Sequence, residues 1–125
     1  MTDRAKQIAE KIAEGLYNKK AQDILIIDIA DMTVIADCFV VASGTSAIQT
    51  KAFCDEVQRV MLEDGVAHTR LEGYAAGRWI VLDYEDVLVH IFHKEEREFY
   101  NLERLWDDGF NVAQYPPQKL AHSEG

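Results

Sequence analysis

The chain has 125 residues, 48% of them hydrophobic, with 22 Asp and Glu against 13 Lys and Arg; that length makes one globular domain burying roughly two thirds of its unfolded surface, with no room for a second. Its apolar runs end well short of the roughly 20 residues that cross a bilayer, and no apolar signal segment follows the N-terminus, so a soluble cytoplasmic protein is expected and a membrane protein excluded. Residues 1–20 carry a small basic excess and the remainder is strongly acidic, for a net charge of −9; affinity for nucleic acid comes largely from neutralising phosphates with Lys and Arg, so the balance favours a basic protein as partner, with little direct nucleic-acid contact.

Thr2 to Leu16 reads as an amphipathic helix with Ala5, Ile8, Ala9, Ile12 and Leu16 on one stripe. Asp23 to Ile29 and Asp37 to Ser43 are short, nearly continuous apolar runs of the buried-strand kind. Only Ala30 to Ala36 lies between them, too little for a crossover helix, so the pair is expected to be antiparallel. Ser46 and Gln49 stand at capping-box spacing at the head of a second helix that carries Thr50, Phe53, Cys54, Val57, Val60 and Met61 on one stripe and stops at Gly65. Cys38 and Cys54 have no CxxC or Cys/His spacing and read as buried free thiols of a reducing compartment.

A further strand is expected around His68 to Leu71. Trp79 to Asp83 and Val87 to Phe92 then follow at hairpin spacing, separated by Tyr84, Glu85 and Asp86. Strand alternation puts Trp79 and Val81 on one face and Ile80 and Leu82 on the other; in the second strand Leu88 and His90 oppose Val87, Val89 and Ile91. Both faces are apolar, so both need a cover, and either helices supply it or one face is kept for another protein. Glu95 to Asp108 carries Phe99, Leu102, Leu105 and Trp106 at helical spacing, with Gly109 as a stop. Residues 1–110 form the domain and residues 111–125, with Pro116 and Pro117, an irregular tail. The order predicts an α/β single domain: a mixed sheet of about five strands flanked by three helices, with one crossover through the second helix.

The residues assemble no catalytic set. Asp23, Asp28, Asp37, Asp83 and Asp86 lie at strand ends, where acids cap turns or meet water. His90 and His93 are three apart on an extended strand, which sends them to opposite faces; His90 is expected to be packed and hydrogen-bonded rather than a ligand. Ser43-Gly44-Thr45-Ser46 could hold a phosphate at a helix start, but it lacks P-loop spacing and reads as a capping loop. No metal and no cofactor are expected. The competing readings are a nucleotide-processing enzyme, with that loop as phosphate cradle and Asp83 and Asp86 holding magnesium, and a homodimeric structural module. The enzyme reading suffers because acids three apart in a turn do not share a strand face.

Five stretches together carry a resemblance: Lys20-Ala21-Gln22-Asp23-Ile24, Asp37 to Ser46, Glu72-Gly73, Trp79 to Phe92, and Tyr100 to Trp106. Over roughly Ala5 to Phe110 the chain resembles the ribosomal silencing factor, or iojap-like, family. The resemblance implies a nucleotidyltransferase-like fold lacking the paired catalytic aspartates. It implies a translational repressor, not an enzyme, which binds the fourteenth protein of the large ribosomal subunit and sterically blocks joining of the small subunit when nutrients run short. It also implies self-association into a homodimer when free. The chain departs from the family pattern at Glu85, where Gly is common and would permit positive φ.

The resemblance places a partner-contacting tryptophan at Trp79, and the residues agree, since Trp79 enters at the edge of its apolar run while Ile80 and Leu82 supply the opposite face. The expected interface is therefore anchored on Trp79, with Val81 and Tyr74 beside it and Glu72, Asp83 and Glu95 facing basic groups of the partner. On this reading Trp79→Ala leaves thermal unfolding little changed.

Overall fold

Thr2 starts the first helix by accepting a hydrogen bond on its hydroxyl from the Ala5 amide at 3.1 Å. This helix, α1 (Asp3–Asn18), buries the predicted stripe Ala5, Ala9, Ile12 and Leu16. The computed structural model describes residues 1–117. Within them β1 (Gln22–Asp28) and β2 (Cys38–Gly44) pair antiparallel, as the short connection requires. Ser46 caps α2 (Ala47–Glu63), its Oγ accepting from the Gln49 amide at 3.1 Å. After β3 (Arg70–Glu72), the hairpin strands β4 (Trp79–Asp83) and β5 (Val87–His93) form with Trp79 opposite Phe92 and Val81 opposite His90.

The six strands make one mixed sheet in the order β3-β4-β5-β2-β1-β6, with β2 and β5 parallel at its centre. Six rather than five strands result because β6 (Val112–Gln114) pairs antiparallel with β1. The expectation of an irregular tail from residue 111 is thus corrected over this segment: Val112 packs beside Ile27 and the strand covers the β1 edge, a pairing that three residues carry no periodicity to announce. The part of that tail from residue 118 onward lies outside the described residues. The predicted helix from Glu95 to Asp108 is also corrected. It is split into α3 (Lys94–Tyr100) and α4 (Leu102–Trp106) at Asn101, whose φ of 47° is left-handed. The break turns Phe99 and Leu105 outward, 81% and 74% exposed, while Leu102 and Trp106 pack on the sheet.

The two faces of the sheet are covered unequally. Helices α1 and α2 cover one face over the main core, where Val40, Ile80, Leu82, Val89 and Ile91 are fully buried. The other face holds a smaller cluster of Ile27, Ile29, Phe39, Val41 and Phe92, with Trp79, Leu88, Leu102 and Trp106 packed against it. Among the described residues the helical cover on that side is the short α3–α4 segment.

Glu85 adopts φ 68° in the β4–β5 turn, and the Asp83 carboxylate accepts from its amide at 2.7 Å, so that one hydrogen bond holds a residue with a Cβ in left-handed backbone. Glu85→Gly removes that strain but frees the unfolded chain, and a net gain of about 0.5–1 kcal/mol is expected. Thermal unfolding checks it, with a rise of about 2–4 °C for a domain of this size.

Candidate protein-binding face

Residues directly opposite one another on paired strands point to the same face, so the registers define the open side of the sheet row by row. One row runs Glu72, Val81, His90, Val41, Leu25 and Gln114; the next runs Arg70, Asp83, Leu88, Phe39, Ile27 and Val112. Trp79 and Phe92 begin a third. Moving from the centre toward the β3 edge, the face passes from buried Val41 and Phe39, through half-buried Leu88, Val81 and Trp79, to the charged pair of Arg70 and Glu72. An apolar strip bordered by charge lies there on the side opposite the two long helices.

Trp79 is half-buried and held on three sides. Its indole stacks on Phe92 with ring centroids 4.8 Å apart, meets Tyr100 of α3 at 4.9 Å, and donates from Nε1 to Nδ1 of His90 at 3.1 Å. His90 is buried, also meets Phe39 edge-on at 4.7 Å, and loss of hydration pulls its pKa down to about 4. It is packed and hydrogen-bonded as its sequence context predicts, though among the described residues on one nitrogen only.

The other sequence-predicted residues fall into two groups. Val81 lies beside Trp79 on the open face, with Glu72 opposite it on β3. Tyr74 does not: its hydroxyl donates to Asp55 of α2 at 2.9 Å and its ring packs on the main core, across the sheet from Trp79. The cause is the loop before β4. At Gly73, with φ 79°, a Cβ would overlap the Trp79 carbonyl oxygen, and Thr50 of α2 donates to the Gly77 carbonyl at 2.6 Å, so this loop is drawn against the helix layer and takes Tyr74 with it.

Each predicted acid has a neighbour within the chain. Glu72 is 3.7 Å from Arg70, Asp83 accepts from the Glu85 amide, and Glu95 is 3.7 Å from Arg78. Arg78 bonds more closely to Glu96, at 2.7 Å, and holds that carboxyl below the usual range. The Glu72 and Glu95 ion pairs are exposed, so little is lost when a partner's cation replaces the internal one.

Sequence reasoning missed the aromatic support of Trp79 by Phe92, His90 and Tyr100. Strand alternation and the hairpin register contain the Phe92 and His90 contacts, whereas the Tyr100 contact depends on the helix break at Asn101. It also missed the exposure of Phe99 and Leu105 and, near one end of the sheet, of Val34, Ile35 and Phe110.

Several groups considered for chemistry are occupied structurally. The Asp28 carboxylate lies 3.2 Å from the N-terminal amine, and Asp37 accepts from the Thr2 amide at 3.0 Å. In the Ser43–Ser46 loop the Thr45 amide and hydroxyl both reach the Gln49 side chain, at 2.8 and 2.9 Å. Cys38 and Cys54 are buried free thiols, pushed up to about 12 and about 11 by burial, which keeps them protonated and unreactive at neutral pH. Among the described residues no group of three or more His, Cys, Asp or Glu is placed to hold a metal ion, and no helix is long and apolar enough to cross a membrane.

The model of one protein family, described as ribosomal silencing factor during starvation, matches residues 2–124. A ribosomal silencing factor of Bacillus subtilis is 39% identical over 103 residues, covering 82% of this chain and 87% of that protein. One from Halalkalibacterium halodurans is 38% identical over 106 residues, covering 85% and 91%. A crystal structure of a protein from Chromobacterium violaceum superimposes with a TM-score of 0.80 at 30% identity, covering 97% of this chain and 92% of that one.

Proposed function

The chain belongs to the ribosomal silencing factor family, and on that premise we propose that this ribosome-associated regulator represses translation by occupying the fourteenth protein of the large subunit. Bound there in the cytoplasm, it stands sterically in the way of the small subunit, and translation falls under nutrient limitation. The observation that carries the reading is the half-covered sheet face: Trp79, Val81 and Leu88 form an apolar strip opposite the helix layer, on a body whose net charge suits a basic partner. Trp79 is the anchor and Val81 its neighbour, while Glu72, Asp83 and Glu95 meet basic groups at the rim. Tyr74 enters only through the loop it fastens to α2. When no ribosome is available the same strip pairs with a second copy, so the two complexes compete.

Repression by occupancy is stoichiometric. Added to a reconstituted translation system, the protein is expected to cosediment with isolated large subunits and to reach full inhibition near one copy per subunit. Full inhibition at amounts far below that ratio indicates turnover and removes the reading.

A further inference from the structure

His90 stands where an apolar residue would pack without penalty. Its strand neighbours on the open face are Val81 and Val41, and its ring touches Phe39. Because Nδ1 accepts from the Trp79 indole, the neutral imidazole must carry its proton on Nε2. That nitrogen is buried and has no hydrogen-bond partner among the described residues. A buried donor without an acceptor is a cost to the fold, and a phenylalanine or leucine here would avoid it. What the histidine adds over either is a single acceptor aimed at Trp79.

The need for that acceptor follows from the other contacts of the indole. Stacking on Phe92 and the tilted contact with Tyr100 constrain the ring plane, but neither requires the N–H edge to lie on a particular side. A ring turned over about its bond to Cβ keeps much of that stacking and presents a different edge outward. The 3.1 Å bond to Nδ1 is available to one orientation only. We propose that His90 is a positioning residue, which selects one orientation of the Trp79 indole and so presents a preorganised anchor to the partner. The inference rests on the reading that this face binds the large subunit, and its energetic logic is that an anchor already in its bound rotamer loses less freedom on docking.

Two requirements separate positioning from ordinary packing. If His90 merely filled space, an apolar ring in its place would keep both the fold and the partner; as a positioning residue, it can be replaced by an apolar ring that keeps the fold and loses the partner. The acceptor, moreover, should be transferable, because the side-chain oxygen of asparagine can occupy nearly the place of Nδ1.

The experiment compares His90→Phe, His90→Asn and Trp79→Ala by thermal unfolding and by binding to large subunits purified from Bacillus subtilis. His90→Phe is expected to unfold at or above the wild-type temperature and to bind about tenfold more weakly, and His90→Asn to bind within about threefold of wild type. Wild-type binding by His90→Phe, when Trp79→Ala has lost it, overturns the inference and leaves the interface reading standing. Wild-type binding by Trp79→Ala overturns both. Nitrogen-15 NMR of histidine in the wild-type protein supplies a measurement that needs no variant to fold: at neutral pH the His90 resonances should show an unprotonated Nδ1 and a protonated Nε2, and the reverse tautomer overturns the inference.

Discussion

Trp79→Ala is expected to weaken binding to isolated large subunits about 30-fold, equivalent to about 2 kcal/mol, because a central aromatic anchor carries a disproportionate share of an interface of this kind. The structure also sets the accompanying loss of stability, which should exceed the small change that the sequence alone suggests. The indole is half-buried rather than exposed and gives up stacking on Phe92, contact with Tyr100 and its hydrogen bond to His90. A fully buried tryptophan costs about 3–5 kcal/mol on truncation; for one partly open to water about 1–2 kcal/mol is expected. Denaturant unfolding and cosedimentation, run on the same preparation, read the two effects separately. Unchanged binding, or a stability loss in the full core range, would show Trp79 to be a structural residue. Rim changes such as Glu72→Gln should act differently, lowering the association rate and the salt dependence by small amounts, since that acid is exposed and already near Arg70.

What the sequence disclosed and what it concealed divide along a physical line. Most elements whose local pattern is long enough to bury a face are where the pattern puts them: α1 with its stripe, β1 and β2 with their apolar runs, and the β4–β5 hairpin whose alternation assigns Trp79 and Val81 to one face. The hidden features depend on contacts distant in sequence. Strand β6 is three residues long and exists because β1 offers it an edge. Asn101 interrupts a good helical pattern in left-handed backbone, and the Arg97 guanidinium, buried against the Asp23 carbonyl, Ser43 and Glu103, ties the segments on either side of the break to the sheet. Tyr74 is five residues from Trp79 in the chain but across the sheet from it, because the intervening turn is bonded to α2 rather than continuing the strand. The family resemblance named Trp79 without exposing these relations; they come from the fold.

A histidine kept neutral in an apolar face also gives the protein a signature in acid. In the folded chain burial holds His90 uncharged down to about 4, while in the unfolded chain it takes up a proton near the ordinary value of 6.5. Between those values the unfolded state binds more protons than the folded state, so unfolding becomes easier as the pH falls. The destabilisation due to His90 is therefore absent above about 6.5, grows through the interval, and is complete below about 4, with a total of about 3 kcal/mol at 1.36 kcal/mol per unit. Carboxylates held low by arginine, Glu56 by Arg59 and Glu96 by Arg78, shape the curve only further down, where carboxyl groups of the unfolded chain begin to protonate. Subtracting the His90→Phe curve from the wild-type curve removes whatever the remaining groups contribute in common. Urea unfolding from pH 7.5 to pH 4 is expected to give a difference that is flat at the alkaline end and grows steadily below about 6.5. Parallel curves would mean that the imidazole is hydrated or charged in the folded protein, and that the neutral acceptor on which the orientation of Trp79 depends is not maintained there.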